Sequence, residues 1–179
     1  EAAPEMSVEL PGGSATSFVA GAEFDVMIRE GTRMSGLVGA ELVELTPETS
    51  TASQVAANPD KALLVEASLF ERLTRDQKLM AALFHPSQAP SAVMLIMPES
   101  VRQMPRSLFL TARRYREIGP MFVQVTHSAG IRLKEAIGRR VTIRSSYSVR
   151  EERVANVAAA VLSSTGTDEL SPIIISAHL

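Results

Sequence analysis

The sequence predicts an α+β fold, a β-rich core with two short helices, and three observations carry that expectation. Two continuous apolar runs, residues 61–67 (KALLVEA) and 92–97 (AVMLIM), have the length and composition of strands buried on both faces. Between them Leu69, Leu73, Met80, Leu83 and Phe84 recur at the spacing of an amphipathic helix. Elsewhere apolar and polar residues alternate, at Phe24, Val26 and Ile28 and again along residues 141–149, the period of strands with one wet face.

Taken in order, residues 1–16 hold Pro4, Pro11, Gly12 and Gly13 without a sustained period and read as an arm or irregular leader. A strand follows over residues 24–28, Gly31 and Gly36 punctuate a turn, and residues 37–45 (LVGAELVEL) resume as a second strand. Residues 46–59 are a polar connection. Residues 61–97 then make one strand–helix–strand unit, with Pro86 stopping the helix, as expected where a helix crosses between parallel neighbours. A weaker copy follows: a strand at 121–125 (MFVQV), Ser128 as the expected N-cap, a short helix over 131–137 closed by Gly138, and the half-exposed strand at 141–149.

Composition removes several classes of function. With 179 residues, 45% of them hydrophobic, the chain can bury a core and fits one domain with appendages. Its 18 basic and 20 acidic residues leave a net charge of -2, so no global field recruits nucleic acid or an anionic membrane. The absence of cysteine excludes disulfides, thiolate metal sites and a cysteine nucleophile. No apolar run approaches the ~20 residues that a membrane-spanning helix needs. No Gly-x-Ser-x-Gly elbow or nucleotide-binding glycine loop occurs, and no two of His85, His127 and His178 share a helical face. His85, at a helix end, suits the helix dipole, and His127 reads as a capping-region residue.

The last twenty-seven residues, RVANVAAAVLSSTGTDELSPIIISAHL, place two apolar runs around a polar segment, the pattern of two strands with an exposed connection. On pattern alone this is a hairpin with a terminal histidine. The ordered series Asn156-Val157, Ala160-Val161-Leu162, Gly166, Asp168 and Glu169, then Ile173-Ile174-Ile175-Ser176-Ala177-His178, resembles the opening of the catalytic domain in the co-catalytic zinc aminopeptidases. That family also contains the glutamate carboxypeptidases and the transferrin receptor. The resemblance implies that His178 is the first zinc ligand of a two-zinc centre in an intact parent, whose supporting Asp would stand two residues further on. No cofactor is expected in the present chain by itself, and no catalytic residue is assigned to it.

Residues 21–150 resemble the protease-associated domain, a β-sandwich or open barrel. The resemblance is carried by the turn Asp60-Lys61 into residues 62–65, by residues 92–97, by Gly119-Pro120 into residues 121–125, and by Ser128-Ala129-Gly130-Ile131-Arg132-Leu133. It departs at residues 85–90 (HPSQAP), where a longer Pro-bearing loop stands. The implied organisation is a leader at 1–20, a protease-associated domain at 21–150, and the first strands of a zinc peptidase domain at 151–179.

Arg102, Arg106, Arg113, Arg114 and Arg116 crowd one segment between two expected strands. The plainer reading is a solvated loop or edge strand guarded by charge. The other is a substrate-binding loop, because guanidinium groups hold carboxylates bidentately and the resembling glutamate carboxypeptidases use this domain in their substrate pocket. The expected function is therefore a non-catalytic domain that caps or shapes a peptidase site or binds a peptide or protein, in an exported protein, secreted or periplasmic. The alternative is a free-standing interaction or receptor-type module. Left uncovered, the terminal strands would promote self-association.

Overall fold

The computed structural model describes residues 3–29, 31–85, 87–101, 108–109, 119–147, 158–160 and 174–176. The chain divides into two compact units, Glu1–Val149 and Arg150–Leu179.

In the first unit an eight-stranded sheet runs β2-β1-β10-β5-β6-β7-β9-β3. Its strands are β1 (Glu5–Glu9), β2 (Ala15–Phe18), β3 (Phe24–Val26), β5 (Ser35–Glu44), β6 (Ala62–Glu66), β7 (Ala92–Ile96), β9 (Met121–Val125) and β10 (Arg140–Ser146). The half from β5 to β9 is parallel. The half from β2 to β5 is antiparallel, as is the short edge strand β3 against β9. A separate two-residue ladder pairs β4 (Ile28–Arg29) with β8 (Leu108–Phe109) in parallel.

Side-chain alternation divides the interior into two layers. Val38, Ala40, Leu42, Ala62, Leu64, Ala92, Met94, Ile96, Met121 and Val123 face one core, joined there by Met6, Val8, Val141 and Ile143 of the antiparallel half. Leu63, Val65, Val93, Leu95 and Phe122 face the other, under the helices α1 (Ala52–Ala56), α2 (Ala67–Leu73) and α3 (Gln77–Leu83). Phe70 meets Phe122 edge to face at 5.7 Å, and Phe84 stacks on it at 6.1 Å. The helix α4 (His127–Lys134) covers the first core with Ala129 and Leu133, and Gly130 lets it approach β7, since a Cβ there would lie 2.6 Å from Ile96.

Phe18 of one edge strand and Phe24 of the other share the first core, and Arg132 of α4 both lies over the Phe18 ring and pairs with Glu23, the residue before β3. The sheet is therefore an open barrel, and the α+β class holds.

Four expectations need correction. Residues 1–16 are not an irregular leader: β1 pairs with β10, β2 pairs with β1, and Met6 and Val8 are buried. The cause is period 2 in EMSVE, where Met6 and Val8 alternate with polar residues. The strand expected over 24–28 is two, β3 and β4, in different sheets. The described helices number four instead of two. Thr51 caps α1 by accepting from Gln54 N at 3.3 Å, and the expected helix after β6 breaks at residues 74–76, where Asp76 accepts from Lys78 N at 2.9 Å and restarts the chain as α3. Finally, Thr126, not Ser128, caps α4, accepting from Ala129 N at 3.3 Å, because the helix begins at His127 and Thr126, still extended, is the residue before its first turn.

In the second unit β11 (Ala158–Ala160) pairs antiparallel with β12 (Ile174–Ser176), Ala159 opposite Ile175.

Deleting residues 1–18 would remove Met6, Val8 and Phe18 from the core and expose the edge of β10. Each such side chain contributes roughly 1.5–3 kcal/mol on burial, against a total stability of about 5–15 kcal/mol for a domain. The truncated chain is expected to lose a cooperative urea transition. A transition with unchanged midpoint would show that the hairpin β1–β2 is dispensable.

Candidate functional site

His178 and the arginines 102, 106, 113, 114 and 116 lie outside the described residues. The segment carrying those arginines is described only at β8, which lies beside β4. His85 is exposed after the end of α3, and its Nδ1 lies 3.2 Å from Ser87 Oγ. His127 is the first residue of α4. The structure does not bring His85 and His127 together with other ligands: among the described residues no three His, Asp or Glu side chains are grouped to hold a metal ion.

Three polar constellations are formed instead. The first lies where the barrel's edges meet. Glu23 accepts from Val19 N at 2.7 Å with one carboxylate oxygen and from Arg132 with the other, while its backbone oxygen accepts from Thr126 N at 2.8 Å. The Arg132 guanidinium sits 4.5 Å above the Phe18 ring. One α4 cation thus holds both edges.

The second is a buried polar pair on β3 and β9, where Asp25 and Gln124 stand opposite each other at 9% and 6% exposure. Asp25 Oδ1 accepts from Tyr147 OH at 3.2 Å. Gln124 Oε1 has no hydrogen-bond partner among the described residues. The third is an ion triad at the carboxyl ends of β5 and β6, with Lys134 Nζ 3.3 Å from Glu44 and 2.7 Å from Glu66. The hydrogen bond to Glu66 raises the Lys134 pKa above its ordinary 10.5, against desolvation and with help from Glu44.

The barrel exterior also carries a shallow depression of about 290 Å³ over β2, β1 and β10, lined by Pro4, Glu5, Met6, Ser7, Ser17, Phe18, Thr142 and Arg144. No sequence motif marks it, since its residues meet only through strand register.

At residue 60, in the turn into β6, the backbone is left-handed with φ 62°. Asp60 occupies that conformation at modest cost, since aspartate is one of the few non-glycine residues whose short polar side chain tolerates that region.

No protein-family model and no curated protein matches the chain. Among solved structures it is similar to an aminopeptidase from Aneurinibacillus sp. strain AM-1, with 18% identity over 80% of this chain and 31% of that one and a TM-score of 0.43. A peptidase M28 precursor from Shewanella amazonensis SB2B gives 14% identity, 94% and 40% coverage and a TM-score of 0.49. The psychrophilic subtilisin-like protease Apa1 from the Antarctic psychrotroph Pseudoalteromonas sp. AS-11 gives 14% identity, 79% and 33% coverage and a TM-score of 0.45. The chain spans less than half the length of each. Among the described residues no helix is long and apolar enough to cross a membrane.

Two substitutions test the polar groups. Gln124→Met removes a buried carbonyl that has no partner and should stabilise the protein by about 1 kcal/mol in urea denaturation; a loss of similar size would reveal a bridging water at Oε1. Lys134→Met should cost about 0.5–1 kcal/mol, because both ion pairs are solvent-accessible. A lysine whose pKa is raised on folding contributes fully below its unfolded value and loses that contribution as pH rises through the folded one. The difference between wild type and Lys134→Met should therefore be constant from neutral pH to about 10 and shrink above it.

Proposed function

We propose that the chain is the accessory part of a zinc-dependent aminopeptidase-like protein, a protease-associated unit followed by the opening strands of the peptidase domain. The observation that carries the reading is their order along the chain. An open barrel, with the Asp60-Lys61 turn, β7, β9 and α4 at the positions of the resembling motifs, is followed directly by the pair β11–β12, whose second strand runs toward His178.

The composition of that pair supports the same reading. Residues 173–175 are three consecutive isoleucines, a continuous apolar run of the composition found in strands inside an α/β sheet. A lone two-stranded sheet is marginal in water, and a unit of about thirty residues is below the size that sustains a core. Further strands complete it in this reading. Without them, pairing with a second copy is one route, the self-association expected of exposed apolar strands.

A zinc site takes three or more protein ligands. One imidazole at His178 does not meet that requirement. The role proposed for the barrel is to cap or shape the peptidase entrance, in an exported protein, with the arginines 102, 106, 113, 114 and 116 facing peptide carboxylates. Each bidentate contact contributes about 1.5–3 kcal/mol when partly desolvated.

The test has two arms. The reading frame beyond Leu179 is expected to place an acidic residue two positions after His178 and to supply further His, Asp and Glu ligands; a frame without them leaves a free-standing interaction module. In the longer protein, Arg113→Ala with Arg114→Ala should lower kcat/KM on acidic peptides relative to neutral ones of equal length. An unchanged ratio would return the arginines to a solvated role. The chain alone, supplied with zinc, should show no turnover of aminoacyl anilides; turnover abolished by His178→Ala would overturn the accessory reading.

A further inference from the structure

We propose that the depression over β2, β1 and β10 is a binding site for a small zwitterion, a free amino acid or a dipeptide. The inference goes beyond the peptidase reading and stands without it.

Strand register sets the chemistry of the outer face. Ser17, Ser7 and Thr142 are successive cross-strand neighbours, so three hydroxyls form one row. In the adjoining row Glu5 stands opposite Arg144, and Arg144 opposite Leu37, which is 59% exposed. Glu5 and Arg144 are exposed and form no ion pair with each other. The same sheet does pair its charges on the other side of the hydroxyl row, where Lys61 Nζ lies 2.6 Å from Glu41 Oε2. The hydroxyls of Ser7, Ser17 and Thr142 likewise have no hydrogen-bond partner among the described residues.

A plain anion would meet Arg144 and be repelled by Glu5, and a plain cation would meet the reverse. A molecule carrying an ammonium and a carboxylate a few ångströms apart satisfies both, its carboxylate on the Arg144 guanidinium and its ammonium on Glu5, with the hydroxyl row left for its amide groups. The volume of about 290 Å³ lies at the lower end of small-ligand pockets, which begin near ~300 Å³. Peptides and amino acids are also the molecules that a peptidase handles, so in such a protein this face would meet its ligand at high local concentration.

The experiment is an amide NMR titration of the 179-residue chain with alanyl-alanine, and with the same dipeptide N-acetylated, C-amidated or both. Saturable shifts are expected at residues 5, 7, 17, 142 and 144. Each cap should weaken binding by about ten-fold, as should Arg144→Ala for the free carboxylate and Glu5→Gln for the free amine. Shifts that fail to saturate, or that are indifferent to both caps, would overturn the proposal. The capping series is read on the unaltered protein, so it decides even if a variant does not fold.

Discussion

The first unit depends on one strand's having two kinds of neighbour. From Ser35 to Glu41, β5 pairs antiparallel with β10, and from Leu42 to Glu44 it pairs in parallel with β6. Leu42 is the hinge of that exchange: its N–H donates to Arg139 O and its carbonyl accepts from Gly138 N, both at 2.8 Å. Gly138, at φ 81°, supplies the left-handed turn that delivers the chain from α4 into β10 at this point. The register of β10, and through it of β1 and β2, is thereby set by a single glycine against Leu42, near the C-terminal end of β5. A slip of one residue would turn Val141, Ile143, Met6 and Val8 out of the core together.

Closure follows from the same constraint. Once the antiparallel half is fixed to β5, the sheet's twist carries β2 round toward β3, and the residues between them, 19–23, are too few to let the edges part. Ladder hydrogen bonds do not finish the seam; Glu23, Arg132 and the Tyr147–Asp25 hydrogen bond do. Side chains from α4 and from the end of β10 therefore substitute for a strand pair. A barrel closed in this way has one seam that depends on charge and hydrogen bonding, while the rest is held by apolar burial.

How much of this was legible depends on where each element's information lies. The strands β6, β7 and β9 were readable because both faces are buried, which leaves an uninterrupted apolar run such as AVMLI. The β1–β2 hairpin was not, because Pro4, Pro11, Gly12 and Gly13 dominate a stretch in which Met6 and Val8 are the alternating signal. The break between α2 and α3 leaves the three-, four- and seven-residue spacing of Leu69, Leu73, Met80, Leu83 and Phe84 intact, so periodicity alone could not see it; Asp76, a capping residue inside the run, was the available sign. The depression had no signal of any kind in sequence order, since Glu5 and Arg144 become neighbours only through the β1–β10 register. The family resemblance rests on residues that hold backbone turns and buried strands, and such residues report architecture more directly than chemistry.

The two halves of the barrel differ in what they leave free for recognition. Parallel strands joined by crossovers must have both faces covered, and here α1, α2 and α3 cover the outer face of the parallel half. Antiparallel strands can leave one face wet, and β2, β1 and β10 do so with Ser17, Ser7, Thr142, Glu5 and Arg144. Substitutions at wet positions change stability by little, usually within about 0.5 kcal/mol, whereas the same changes under the helices would disturb packing around Phe122. A barrel of this construction can therefore change the side chains of its antiparallel face without altering its fold, because those positions carry none of the packing that holds the sheet.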